Sequence, residues 1–223
     1  MSQFLLRLHG MVWDFRRMMV AYWPTPDTVD AARFAVTEMG EVLDAFLRLD
    51  GGYARNRERS PDVLDELADT AMMTLTAMGE NAPLGEWDEW EEAELGEMYA
   101  DLDEIDALAM HVNDFYACAV MPHPSPISLA GFGGLAIWRI SEYPGMDLEA
   151  RLRQRLDRIF CKHHPDGQRL AKLEQERNGG VDWTCPTCAA KSVLYPGGLP
   201  DASNGVAYQN EMPGVYMSDG GLL

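Results

Sequence analysis

Apolar residues recur at helical spacing through most of the first 160 residues. Phe4, Leu5, Val12, Phe15 and Met19, with His9 among them, form one stripe and predict a helix over residues 2–22. Thr25-Pro26 reads as a cap followed by proline in the first helical turn. A second helix then runs to about Leu49, with Ala32, Ala35, Met39, Val42, Leu43 and Phe46 inward, and Asp50-Gly51-Gly52 stops it. After the basic loop Tyr53–Arg59, Ser60-Pro61 starts a third helix with Leu64, Leu67, Ala68, Ala71, Met72 and Leu75 on its buried stripe. Residues 80–106 carry twelve acidic side chains and no basic one, with Trp87, Trp90, Leu95, Tyr99, Leu102 and Ile105 at helical spacing. They predict a long acidic helix reaching about Cys118. The Pro/Gly-rich stretch Met121–Gly134 predicts a loop, followed by a short apolar segment, Leu135–Ile140. Asp147 caps a last helix, whose inward residues are Leu148, Leu152, Leu156, Ile159 and Phe160. Arg151, Arg155 and Arg158 form a second stripe on it. From residue 178 onward Gly, Pro, Asn and Tyr dominate without helical periodicity.

The polar positions that break the pattern are acidic. Glu38 and Glu41 flank the apolar stripe of the second helix, and Glu66 and Asp69 flank that of the third. Residues three apart on a helix point the same way, with β-carbons roughly 5–6 Å apart. A short connection lets the two pairs face each other antiparallel. Four converging carboxylates repel unless a cation sits among them, and a hard-oxygen cage suits Mg²⁺ or Mn²⁺. A second pair, Glu94 and Glu97, is not followed by a matching pair across a turn, so it predicts an acidic face. That face is one candidate partner for the arginine stripe of the last helix. Phosphate is the other.

Net charge is −18, against 18 lysines and arginines, and this disfavours wide contact with a nucleic-acid backbone. No apolar run is long enough to span a membrane. The N-terminus lacks the pattern of a secretory signal, so a cytoplasmic location is expected. Four cysteines are expected to be reduced there. Cys161-Lys-His-His164 and Cys185-Pro-Thr-Cys188 together offer Cys161, His164, Cys185 and Cys188 as a structural Zn²⁺ set, with His163 the substitute ligand. Trp13, Tyr22 and Trp23 could stack on a base but stand at core spacing. Met72, Met73 and Met78 read as packing, and His9, His111 and His123 belong to no constellation.

Glu38-Met-Gly-Glu41, a gap of 24 residues, then Glu66-Leu-Ala-Asp69 resembles the MazG-like all-α nucleotide pyrophosphohydrolases. Trp13 and the Pro26 turn before the first pair agree with it, as does Met146–Ala150 opening an arginine-rich helix. The resemblance covers roughly residues 1–79 and 145–162. It implies a mostly α fold, an antiparallel helical bundle over residues 1–164; residues 80–144 then read as an acidic helical insertion into it, and residues 165–223 as an irregular C-terminal extension. It also implies hydrolysis of a (deoxy)nucleoside triphosphate, with dGTP suggested by a bacteriophage branch of the family, to the monophosphate and pyrophosphate. Homodimers or homotetramers are implied as well. On this reading Glu38, Glu41, Glu66 and Asp69 hold the metal, and Glu38 also activates water. Arg55, Arg57 and Arg59, or Arg155 and Arg158, contact phosphate. The family's closing helix usually offers a lysine and, four residues later, an asparagine; Arg155 and Ile159 stand there instead. The rival expectation is a non-catalytic acidic helical adaptor for a protein partner.

Overall fold

A computed structural model of the chain describes residues 2–50, 62–85 and 98–169. Six long helices and a short helical segment at 165–169 account for most of them, and no strand occurs among the described residues. They are α1 (Ser2–Met19), α2 (Thr28–Asp50), α3 (Val63–Ala77), α4 (Glu104–Ala119), α5 (Pro126–Glu142) and α6 (Leu148–His163). The chain divides into two compact units. One comprises Met1–Met18 and Thr25–Leu156; the other comprises Met19–Pro24 and Asp157–Leu223. No described helix is long and apolar enough to cross a membrane.

Caps set the helix starts. The Asp27 side chain accepts from the Asp30 amide at 2.8 Å, so α2 begins just after Asp27 rather than at Thr25-Pro26. Asp62 accepts from Leu64 N–H at 3.0 Å and opens α3. Asp147 accepts from Ala150 N–H at 3.1 Å and opens α6, as its sequence position predicts. Gly79, at φ 86°, follows the C-cap of α3, a backbone conformation that glycine adopts without steric cost.

Helix α3 is the axis of the first unit. Every residue from Leu67 to Ala77 is buried, so the helix has no solvated face over that stretch. Its threonines fit this setting by returning their hydroxyls to the backbone. Thr70 donates to Glu66 O, Thr74 to Thr70 O and Thr76 to Met72 O, at 2.8–2.9 Å. Helix α2 packs along α3 more extensively than any other described pair, and α5 also packs on α3; α4 joins α2 and α5. Helix α1 reaches α3 through hydrogen bonds, Trp13 Nε1 to Leu75 O at 3.2 Å and Arg16 Nε to Thr76 Oγ1 at 3.2 Å. Arg16 is almost wholly buried, and burial lowers its pKa to about 10.

Two expectations fail here. The stretch predicted as a loop contains most of α5, with Ser125 as N-cap and Pro126 in the first turn. Its glycines face the core and leave room for neighbours. A β-carbon on Gly133 would lie 2.8 Å from Met78 Cγ and Sδ and 3.1 Å from the Phe115 ring; one on Gly134 would lie 3.0 Å from Leu5. The acidic helix predicted from residue 80 also does not form as a single element. Residues 80–85 and 98–103 are non-helical, and α4 starts at Glu104 after Asp103. Pro83 and Gly85 interrupt the apolar period there, and Leu102 is exposed while Ile105 and Leu108 are buried. The Glu94/Glu97 face lies outside the described residues.

Candidate metal centre

The acids of the first unit gather where α2 lies against α3. One carboxylate oxygen each from Glu38, Glu66 and Asp69 falls within 4.8 Å of the other two. Glu38 comes from α2, and Glu66 and Asp69 from one face of α3. Their helices are held together by the apolar stripes beside them, Ala35, Met39 and Val42 on α2 and Leu67, Ala68 and Ala71 on α3, all buried. Hydrophobic burial therefore brings together charges that repel. Glu41 stands outside this group of three and is exposed, although its charge still acts on Glu38 and Glu66. The structure thus brings three of the four expected ligands together.

Electrostatics record the crowding. Burial, reinforced by the charges of Glu41 and Glu66, raises the Glu38 pKa to about 7, against the opposing pull of Arg155. Glu66 is raised too, first by burial and then by Glu41, again with Arg155 opposing. The set fits a hard divalent cation: the donors are all carboxylate oxygens, they converge from two helices, and a cation would relieve the strain that both glutamates show.

Asp69 differs from its neighbours because it already has a cation. Arg155 of α6 forks onto it, with Nε donating to Oδ1 at 2.7 Å and a terminal nitrogen donating to Oδ2. The same guanidinium lies 3.8 Å from Asp65. One turn earlier, Arg151 donates to Asp65 at 2.7 Å and to Asp62 at 3.0 Å. Two arginines four residues apart therefore meet acids at positions 62, 65 and 69, and both rows advance in the same direction along their helices. Sequence reasoning did not single out Asp62 or Asp65. The matching three- and four-residue spacings of the two rows were the available signal. Two members of the arginine stripe, Arg151 and Arg155, thus pair with α3.

Arg55, Arg57 and Arg59 lie outside the described residues, as do Cys185 and Cys188. Arg158 belongs to the second unit, with Cys161, His163 and His164. Cys161 is half-buried. His164 stacks on Phe160 with ring centres 4.6 Å apart, meets Tyr22 edge-on, and accepts the Asp166 amide at Nδ1 at 3.1 Å. A neutral His164 ring so bonded carries its proton on Nε2, so zinc ligation through Nε2 requires the other tautomer. Of the aromatic residues considered for base stacking, Trp13 is half-buried with its indole N–H committed to Leu75, and Tyr22 is committed to His164.

No protein-family model, no curated protein and no solved structure matches this chain.

Proposed function

We propose that the protein is a metal-dependent nucleoside triphosphate pyrophosphohydrolase of the MazG-like kind, built on an antiparallel bundle, and that the α2–α3 carboxylates are its metal centre. The observation that carries this reading is the convergence of the Glu38, Glu66 and Asp69 oxygens within 4.8 Å. The spacing of the two acid pairs, which resembles that family, supports it independently.

Glu38, Glu66 and Asp69 would hold Mg²⁺ or Mn²⁺, and Glu41, one helical turn from Glu38, would join them from the exposed edge. A cation held there would supply positive charge against the phosphate oxygens and acidify water at the site. Glu38 takes the proton of the attacking water. Water adds across the α–β anhydride of the nucleotide, that bond breaks, and the monophosphate and pyrophosphate leave. Arg155 and the loop arginines Arg55, Arg57 and Arg59 supply charge for the outer phosphates. The net charge of −18 makes such local cations necessary, because the field of the whole molecule repels a triphosphate. A deoxypurine substrate such as dGTP and a homo-oligomeric assembly are the corresponding proposals for substrate and subunit organisation.

Release of pyrophosphate from a panel of nucleoside triphosphates, with Mg²⁺ and with Mn²⁺, is the test. Turnover is expected with at least one of them, and Glu66→Gln is expected to lower kcat by about a hundredfold or more, in line with loss of a metal ligand. Absence of turnover with every nucleotide would leave an adaptor role instead, and turnover indifferent to Glu66→Gln would remove the α2–α3 carboxylates as the metal centre.

A further inference from the structure

The fork between Arg155 and Asp69 joins α6 to one of the three converging carboxylates, and its position in the cluster is central. Arg155 contacts Asp69, approaches Asp65 at 3.8 Å, and acts electrostatically on both Glu38 and Glu66. Asp69 is buried and the Arg155 side chain is only 20% exposed, so the pair is poorly screened by solvent. Asp65 does not depend on Arg155 for a partner, because Arg151 donates to it at 2.7 Å. The docking of α6 on α3 therefore has a second anchor, and Arg155 can leave Asp69 without leaving Asp65 uncompensated.

Resting on the metal-centre reading above, we propose that Arg155 is the resident counter-ion of the carboxylate cluster, and that a divalent cation and the Arg155 guanidinium exchange at Asp69. With the cation absent, Arg155 offsets part of the negative charge that the packing of α2 on α3 concentrates there. With the cation bound, two positive charges compete for one buried carboxylate, and the flexible arginine gives way. Its planar fork then turns to a phosphate of the incoming nucleotide, which presents the same paired-oxygen geometry. Exchange also makes metal and nucleotide binding mutually favourable, because whatever draws Arg155 off Asp69 clears the site for the cation, and the linkage is reciprocal. Arg155 acts on the metal through Asp69, which makes it a positioning residue for that step.

Two measurements on the full-length protein test this without recourse to activity. Titration with Mn²⁺ alone, followed by the electron paramagnetic resonance of the free ion, is expected to show Arg155→Met binding roughly tenfold more tightly than wild type, since a competing unit charge has been removed. Thermal unfolding gives the second readout. Arg155→Met is expected to melt below wild type in chelator, and saturating Mn²⁺ is expected to close that gap. An arginine with a merely structural role leaves the gap open at saturation. Arg155→Lys keeps the charge but not the fork, and its Mn²⁺ affinity is expected between the two; it carries the same test should Arg155→Met fail to fold. Equal or weaker Mn²⁺ binding by the variants, or a gap that persists at saturation, overturns the exchange and leaves the metal centre standing. Absence of Mn²⁺ binding by wild type and variants alike overturns the metal centre itself.

Discussion

Glu38 sits half-buried among like charges, and its behaviour with pH follows from that position. Its pKa is about 7 in the folded protein and near 4.5 in the unfolded chain, so between those values the native state binds the extra proton. The sign is therefore that metal-free stability falls as pH rises from about 4.5 to about 7, and stays low above that. Taken at face value the shift corresponds to about 3 kcal/mol, but partial exposure and solvent screening reduce this to about 1 kcal/mol. Glu38→Gln removes the charge while keeping the shape. Urea unfolding in the presence of a chelator is expected to show this variant more stable than wild type by about 1 kcal/mol near pH 7.5, with the two curves meeting near pH 4. A variant less stable than wild type at the higher pH would mean that the carboxylate is better accommodated than its burial and neighbours imply. Glu66 is raised for the same reasons and adds to the slope, so the wild-type decline should be only partly removed by the single change.

At the scale of elements, glycine separates two kinds of helix position. Gly10 in α1 has nothing within 4 Å of where a β-carbon would stand, whereas Gly133 in α5 has Met78 at 2.8 Å and Phe115 at 3.1 Å. Alanine at Gly10 gains helix propensity without a clash, and thermal or urea unfolding is expected to show stabilisation of about 0.5–1 kcal/mol. At Gly133 the same gain is outweighed by overpacking. Part of the strain is relieved because the Met78 side chain can turn, so a net loss of about 1 kcal/mol is expected. Opposite signs for Gly10→Ala and Gly133→Ala are the checkable result; stabilisation by both would show that α5 has room to move away from α3 and α4. The apolar periods of α1, α2 and α6 were legible because each buries one stripe that repeats at 3.6 residues, whereas α3 is buried on every side from Leu67 to Ala77 and its apolar stripe showed only part of that. In α5 the buried face is partly glycine, which gives no hydrophobic signal and is indistinguishable in sequence from a turn. In the 80–106 stretch the aromatic and aliphatic spacing was helical, but Pro83, Gly85 and the cap at Asp103 break the chain into pieces that spacing alone joined.

The whole molecule carries a net charge of −18, and divalent ions act on it both by screening and by binding. Raising NaCl from about 20 to about 300 mM shortens the screening length and is expected to raise the melting temperature of wild type and of Asp69→Asn alike. Millimolar Mg²⁺ at matched ionic strength is expected to add a further rise in wild type alone, since a ligand that binds the native state stabilises it by mass action. Calorimetric melts with the two salts distinguish the cases: an equal response of both proteins to Mg²⁺ would reduce the effect to screening. The same distinction bears on the candidate site, where the acid pairs were visible in sequence as deviations from the apolar pattern. Their spacing announced that Glu38 and Glu66 could meet. It did not announce that Glu41 would stand at the exposed edge, because the rotation of α2 against α3 is set by packing along both helices.

Taken alone, the order of residues was enough to determine a mostly helical chain, the inward stripes of its amphipathic helices and the acids that interrupt them, since each of these depends on neighbours three or four positions apart. It also determined an acidic balance, with a net charge of −18. Tertiary structure decided which charges meet. Arg155 reaches Asp69 across 86 residues of chain, and Arg151 bridges Asp62 and Asp65 over a similar separation. The glycines of α5 became a packing surface only because Met78, Phe115 and Leu5 arrive from three other parts of the chain. Contacts of that range depend on how the helices dock, and docking is governed by the summed fit of many apolar side chains rather than by any local signal.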